Sequence, residues 1–201
     1  MNNKEHWEKI YTTKTPQEVS WTQNIPQTSL ELIGKYNLSK DANIIDVGGG
    51  DSLLVDHLLE LGYTKLSVLD ISEAAIKRAQ KRLGSDAGKV TWIVSDITKF
   101  RPNTSYDLWH DRAVFHFLTE QSEIDTYVDL VRNNVSNLVI GTFSEDGPLK
   151  CSGLEITQYD ETKITKTFHP TFKPLECFTV DHITPFDTTQ NFIFARLTKS
   201  E

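Results

Sequence analysis

Short apolar runs alternate along this chain with segments whose apolar residues recur at helical spacing. The runs 43–47, 65–70 and 90–94 have strand length and are rich in Ile, Val and Leu. Helical patterns cover 52–61 and 73–83, and each of them stops at a glycine. Strands that alternate with helices in this way predict a parallel sheet with helices on both faces.

The alternation continues to the end of the chain. Strands are predicted at 106–110 and 137–143, with a helix over 121–133 between them. Two final strands, 176–184 and 190–198, alternate in polarity and predict an antiparallel pair at one edge of the sheet. The expected fold class is α/β, a Rossmann-like, doubly wound, seven-stranded and mostly parallel sheet with an antiparallel C-terminal strand.

The first 25 residues read as an arm in front of the core, which covers 26–201, and the whole chain 1–201 is predicted to be a single domain. A helix over 4–12 would place Trp7 and Tyr11 on one face. Trp21 follows in an irregular stretch. The arm is either a strap that its aromatic side chains pin to the core or a lid over a ligand, and both interpretations stay open.

Composition narrows the possible partners. A net charge of −7 argues against a broad electrostatic grip on nucleic acid. The spacing of Cys151 and Cys177 suits neither a metal site nor a disulfide framework, and no His, Asp and Glu grouping has metal-ligand spacing. No apolar run approaches a membrane span, so a cytoplasmic protein is expected. The basic residues of 77–82 are interpreted as a solvated helix face.

A glycine-rich turn follows the first strand, in the order Asp46-Val47-Gly48-Gly49-Gly50-Asp51-Ser52. Glycines there permit positive φ and a close approach of the backbone to a ligand, and the helix that follows supplies unpaired N–H groups. A phosphate-binding loop would need a lysine after the last glycine, and none is present here. A dinucleotide fingerprint would need a glycine where Leu53 stands.

The remaining pattern is acidic-x-Gly-x-Gly-x-small, with Asp46, Gly48, Gly50 and Ser52 at its fixed positions. Together with Asp70 and Asp96, which end the next two strands, it resembles the first motifs of class I S-adenosylmethionine-dependent methyltransferases. The segments 109–116 and 141–154 resemble small, stand-alone bacterial members.

This resemblance implies S-adenosylmethionine as cofactor and S-adenosylhomocysteine as product. It further implies that Asp70 accepts from both ribose hydroxyls, that Ile71 packs on the adenine, and that Asp96 with Ile97 reads the adenine edge. The implied cofactor-binding residues are Trp21, Asp46, Gly48, Gly49, Gly50, Ser52, Asp70, Ile71, Asp96, Ile97 and His110.

Methyl transfer is an in-line displacement for which alignment alone supplies much of the acceleration. A general base is needed only where the acceptor must lose a proton. In this fold the end of the fourth strand faces the methyl group, so the candidate catalytic residues are His110, Asp111 and His116. His116 lies among apolar residues, so a structural role is the favoured interpretation and a catalytic role the alternative.

The expected acceptor is a small molecule or a protein side chain. Nucleic acid is disfavoured because no Asn-Pro-Pro-Tyr or Asp-Pro-Pro-Tyr run follows the fourth strand. One alternative is a nicotinamide-dependent oxidoreductase, against which Leu53 and the missing Tyr-x-x-x-Lys pair speak. The other is a non-catalytic protein that binds S-adenosylmethionine. The oligomeric state is not readable from the sequence.

Overall fold

The computed structural model describes residues 3–200, so residues 1, 2 and 201 of the predicted domain lie outside the described part. The helices and strands of the first half follow in chain order: α1 (Asn3–Thr13), α2 (Gln27–Gly34), β1 (Asn43–Val47), α3 (Leu54–Glu60), β2 (Lys65–Asp70), α4 (Glu73–Leu83) and β3 (Val90–Val94). The second half contains β4 (Tyr106–Arg112), α5 (Gln121–Asn134), β5 (Val135–Phe143), the two-residue strands β6 (Lys150–Cys151) and β7 (Leu154–Glu155), α6 (Glu161–Phe168), β8 (Phe172–Ile183) and β9 (Thr189–Lys199).

Seven strands form one sheet in the order β3-β2-β1-β4-β5-β9-β8. The first five pair in parallel, and β9 runs antiparallel to both β5 and β8. The predicted fold class is therefore confirmed. The predicted antiparallel pair, β8 and β9, lies at one edge of the sheet, with β9 one position inside β8. The chain leaves β5, forms β8 at the edge and returns through β9 into the space between them.

Alternate residues of the central strands feed two apolar cores, one on each face of the sheet. Ile45 and Trp109 point into a core that α5 and α6 cover with aromatic and aliphatic side chains. Ile44 and Leu108, one position earlier, point into the other core, which α2, α3 and α4 cover. The period of two along each strand thus converts a continuous apolar run into two buried faces. This packing fixes the carboxyl ends of the strands at one edge of the sheet.

Candidate functional site

A cavity of about 690 Å³ opens at the carboxyl ends of the parallel strands. Its volume lies within the roughly 300–1,000 Å³ typical of small-ligand pockets. The predicted residues that line it are Trp21, Asp46, Gly48, Gly49, Ser52, Asp70, Ile71, Asp96, Ile97 and His110. Gly50, Asp111 and His116 lie behind its wall.

The turn after β1 is shaped by the absence of side chains. Gly48 has a φ of +70°, which L-residues with a side chain rarely adopt. A Cβ on Gly49 would overlap the Asp46 carboxylate, and a Cβ on Gly50 would overlap that of Asp70. The glycines therefore let two of the protein's own carboxylates approach the loop, and this close approach brings both acids to the cavity wall.

Asp70 ends β2 and is 5% exposed. Its Oδ2 accepts from the Gly50 N–H at 3.1 Å and its Oδ1 from the Ser72 N–H at 2.8 Å. Burial raises the pKa of this carboxyl to about 7, although the two backbone donors act in the opposite direction. A carboxylate has about four lone-pair sites, so both oxygens can accept further hydrogen bonds from a ligand.

Asp96, which follows β3, is the more open carboxylate. Its Oδ1 accepts from the backbone N–H and the hydroxyl of Thr98 at 3.0 and 2.8 Å. Its Oδ2 lies 3.6 Å from the Lys99 ammonium, and the side chain is about one-third exposed. Ile71 and Ile97 supply apolar wall beside the two acids. This end of the cavity therefore offers carboxylate acceptors next to apolar contacts.

Asp46 links β1 to β4 through a buried histidine. Its Oδ1 accepts from His110 Nδ1–H at 2.7 Å, and because a carboxylate only accepts, Nδ1 carries the proton. The Nε2 atom forms a second hydrogen bond, with the Ser29 hydroxyl at 2.8 Å. Asp46 Oδ2 is buried and has no hydrogen-bond partner among the described residues. A ligand donor at this point would satisfy it.

His110 is consequently a poor general base, although it lines the cavity. Both of its ring nitrogens are already engaged in hydrogen bonds, one with Asp46 and one with Ser29. It positions Asp46 instead.

Asp111 does not reach the cavity, contrary to the prediction of a catalytic role. It is fully buried on the opposite face of β4, where its Oδ2 accepts from the Tyr127 hydroxyl at 2.7 Å. Its Oδ1 accepts from the N–H groups of Val114 and Phe115 at 3.0 and 3.2 Å. Burial raises its pKa to about 6. These bonds hold the turn after β4 against α5, which is a structural task.

His116 is also buried away from the cavity, so the prediction that it acts on the acceptor does not fit. Its ring stacks on Phe143, with centroids 4.5 Å apart, and neither ring nitrogen has a hydrogen-bond partner among the described residues. Burial lowers its pKa to about 3. The ring is therefore neutral at physiological pH and packs as an aromatic side chain.

The N-terminal arm forms the cavity's outer wall. The Trp7 ring lies 5.6 Å from the ring of Trp21 and 5.1 Å from that of Phe117, which follows β4. On the other side, the Glu8 carboxylate accepts from the Ser72 hydroxyl at 2.8 Å, at the start of α4. The arm thus bridges the two sides of the cavity. Sequence periodicity predicted its helix but gave no sign of this contact with α4.

Two arginines of α4 contradict the predicted solvated face. Arg82 donates to Asp51 Oδ1 at 2.9 Å, to the Ser52 carbonyl at 2.8 Å and to Asp56 Oδ2 at 2.8 Å. Arg78 contacts Asp51 from the preceding turn. Together they hold the glycine loop and the start of α3 against α4. Arg78 and Arg82 stand four apart, and that spacing is the only sequence signal that they share a face.

Arg112, at the end of β4, also lines the cavity and was missed by the sequence analysis. One of its N–H groups donates to the Trp21 carbonyl at 2.9 Å. Its Nε and Nη2 atoms are buried and have no hydrogen-bond partner among the described residues. A basic residue directly after a buried strand was the available signal.

The cavity wall fits an amino-acid nucleoside. Acidic residues stand at the ends of three neighbouring strands, and a nucleoside with an amino-acid tail carries hydroxyl and amino donors that need such acceptors. The orphaned Oδ2 of Asp46 suits an ammonium group in particular, since charge-assisted hydrogen bonds are the stronger ones. Within residues 3–200 no cluster of His, Cys, Asp or Glu is arranged to hold a metal ion.

Comparison with known proteins agrees with this fit. Residues 44–135 match a family model described as a methyltransferase domain. Malonyl-[acyl-carrier protein] O-methyltransferase 1 of Ilyobacter polytropus is 27% identical over 109 residues, which are 54% of this chain and 40% of that protein. The eEF1A lysine and N-terminal methyltransferase of Mus musculus is 25% identical over 60% of this chain and 17% of its own length. The chain thus spans less than half the length of these curated relatives.

The fold has solved counterparts. The N-methyltransferase NodS from Bradyrhizobium japonicum, in complex with S-adenosylhomocysteine, superposes with a TM-score of 0.75 at 16% identity, covering all of both chains. Sequence motif, fold and family model agree: residues 44–135 match a methyltransferase domain, and the chain has the fold of the class I S-adenosylmethionine-dependent methyltransferases. The cofactor of this class is S-adenosylmethionine. Among residues 3–200, the helices are all too short or too polar to cross a bilayer.

Proposed function

We propose that this chain catalyses transfer of the methyl group of S-adenosylmethionine to a small-molecule acceptor or a protein side chain. The observation that carries the proposal is a row of three carboxylates along one wall of the cavity, which can accept hydrogen bonds from the cofactor. They belong to Asp46, Asp70 and Asp96. The named relatives act on different acceptors, one on a malonyl group carried by a protein and one on lysine and an N-terminus. Their names therefore leave the acceptor open.

When bound, S-adenosylmethionine supplies a methyl group to the lone pair of a nucleophile as its carbon–sulfur bond breaks and the electron pair remains on sulfur. The chain's own part is placement. Asp70 and Asp96 bind the nucleoside end, and Asp46, held by His110, binds the amino group. The arm excludes water through Trp7 and Trp21. Alignment of this kind is worth up to about 7–11 kcal/mol.

We favour an acceptor that arrives already nucleophilic, because none of the three predicted bases is free at the cavity. His110 has both nitrogens engaged, and Asp111 and His116 lie behind the wall. A carboxylate, a thiolate or a neutral amine meets this requirement without a base. An aliphatic hydroxyl does not. The proposal therefore favours acceptors that attack without loss of a proton in the transition state.

Calorimetry with S-adenosylhomocysteine, followed by incubation of the protein with methyl-labelled cofactor and fractionated metabolites or proteins, tests this function. We expect micromolar binding and the appearance of label in one acceptor fraction. Asp70→Asn is the matched control for binding, and it should weaken affinity at least about tenfold, the loss expected for hydrogen bonds to a charged group. Absence of binding to the wild type would refute the proposal. Binding without label transfer to any fraction would instead support a non-catalytic cofactor-binding protein.

A further inference from the structure

The Arg112 guanidinium has two buried nitrogens and, among residues 3–200, no counter-ion. Within the described part of the chain the Arg112 side chain makes one hydrogen bond, to the Trp21 carbonyl, and its guanidinium lies 4.9 Å from the Phe192 ring centroid. Among residues 3–200, no carboxylate forms an ion pair with it, and Asp46 acts on it only as a more distant negative charge. Three of its five N–H groups, on Nε and Nη2, have no partner.

An unpaired buried charge is costly, and burial lowers the pKa of Arg112 to about 10. At neutral pH the guanidinium still carries its charge. An unpaired guanidinium does not stabilise the folded protein. Its retention at this position is more simply explained if an anionic ligand pairs with it. The face of Phe192 offers a weak cation–π attraction, which does not replace an anion.

The position of Arg112 points to the acceptor end of the cavity. Asp70 and Asp96 belong to strands on one side of β1, whereas Arg112 ends β4 on the other side. Phe192 lies still further away, on β9, so the guanidinium extends away from the nucleoside end.

Besides the Trp21 carbonyl to which it donates, the guanidinium lies in a part of the cavity with aromatic side chains, a thiol and one unpaired acceptor atom. Phe143, Phe192 and the buried thiol of Cys151 line this end of the cavity, and burial raises the pKa of that thiol to about 12. Gln190 Oε1 is buried there without a hydrogen-bond partner among the described residues. The site thus combines the unpaired N–H donors of the charged Arg112, the unpaired acceptor oxygen of Gln190 and aromatic walls.

We propose that Arg112 binds an anionic oxygen of the methyl acceptor, which is a carboxylate-bearing small molecule with an apolar body and a donor that reaches Gln190. This inference rests on the proposed function and assigns its substrate class. A lysine side chain is disfavoured, because its ammonium would enter beside an unpaired guanidinium. A guanidinium fork matches a carboxylate in two parallel hydrogen bonds and fixes its orientation.

The carboxylate of the cofactor's amino-acid tail has the same chemistry, and two cofactor analogues separate the sources. S-adenosylhomocysteine carries that carboxylate, and 5′-methylthioadenosine lacks the whole amino-acid tail. We expect Arg112→Gln to bind each analogue within about twofold of the wild type. A loss confined to S-adenosylhomocysteine would assign Arg112 to the cofactor and overturn the proposal. Unchanged binding of 5′-methylthioadenosine also shows that the variant is folded.

The acceptor end is probed with benzoate and 3-phenylpropionate, each against its neutral amide, on protein saturated with S-adenosylhomocysteine. Tryptophan fluorescence reports binding, because Trp7 and Trp21 line the cavity. We expect at least one carboxylate to bind the wild type at least about tenfold more tightly than its amide, and Arg112→Gln to abolish that preference. Arg112→Lys should restore part of it, because the charge returns without the fork.

Arg132→Gln is the matched control, since Arg132 is an exposed arginine of α5 paired with Asp129. It should leave the preference unchanged. Equal binding of acids and amides by the wild type, or the same preference in Arg112→Gln, would overturn the proposal. Failure of S-adenosylhomocysteine to bind the wild type would instead refute the proposed function, so the two failures are distinguishable.

Discussion

Three buried aspartates at strand ends have three different tasks, and their surroundings decide which. Asp46 holds a histidine and keeps one oxygen unpaired, Asp70 meets backbone donors at the cavity wall, and Asp111 ties a turn to Tyr127. The sequence shows only an acid after an apolar run. Strand alternation places neighbouring residues on opposite faces, so His110 and Asp111 could never both have faced the acceptor. Which of them faces it depends on register, which the sequence leaves open.

The raised pKa of Asp70 predicts that cofactor affinity depends on pH. If Asp70 binds the ribose as proposed, the ribose hydroxyls would donate to the charged carboxylate and favour the form that predominates above the pKa of about 7. Affinity for S-adenosylhomocysteine should therefore rise by about tenfold from pH 6 to pH 8, as for a single group that must lose its proton on binding. Calorimetry across this range measures it. Asp70→Asn should bind more weakly with a flat profile, and a profile as steep as that of the wild type would refute the assignment.

The same group predicts the pH dependence of the unliganded protein. An unfolded aspartate has a pKa of about 3.9, so between pH 4 and pH 7 the folded protein binds more protons at Asp70 than the unfolded chain does. Its contribution to the unfolding free energy therefore falls as pH rises through this window. We expect the unfolding free energy of the wild type, measured with urea, to fall relative to that of Asp70→Asn when the pH is raised from 5 to 7.5. A constant difference between the two proteins would contradict the shift.

At the scale of elements, α1 shows why a helix is easier to predict from the sequence than the element on which it packs. The apolar spacing of Trp7 and Tyr11 defines a face, and that face packs beside Trp21 as an aromatic cluster. The contact that fixes α1 on α4 comes from Glu8, which is one of many polar residues on this helix. Its carboxylate accepts from N-terminal groups of α4, where a negative charge is favoured by the helix dipole. No periodicity identifies such a residue.

Glu8→Ala should loosen the arm and speed cofactor release. The lost hydrogen bonds to Ser72 and to the Ala74 N–H are worth roughly 1–1.5 kcal/mol, which corresponds to about five- to twelvefold faster dissociation of S-adenosylhomocysteine if release requires the arm to move. Stopped-flow tryptophan fluorescence measures the rate. Thr13→Ala is the matched control on α1, because the Thr13 hydroxyl bonds only within its own helix. Unchanged release from Glu8→Ala would make the arm a structural strap rather than a lid.

At the scale of the whole molecule, the local pattern predicted most of the scaffold. The bounds of β1, β2 and β3 agree with the predicted runs, because buried parallel strands are continuous apolar runs between clear breakers. The order of the last two strands was less accessible, since the position of β9 inside β8 depends on contacts with β5 between residues about 50–60 positions apart in the chain. The same holds for Arg112 and Arg82, whose partners are brought near only by the fold.

One sheet carries both cores, and this predicts that the chain unfolds as a single unit. Every strand of the main sheet is hydrogen-bonded into the same ladder, and helices from the arm to α6 pack on it or on its neighbours. Far-UV circular dichroism and tryptophan fluorescence, which reports Trp7 in the arm and Trp109 in the core, should therefore give coincident thermal transitions. S-adenosylhomocysteine at 100 times its Kd should add about 2.7 kcal/mol, hence roughly 5–10 °C, to that one transition. An earlier fluorescence transition, or a ligand shift in only one of the two signals, would show that the arm or another part is a separate unit.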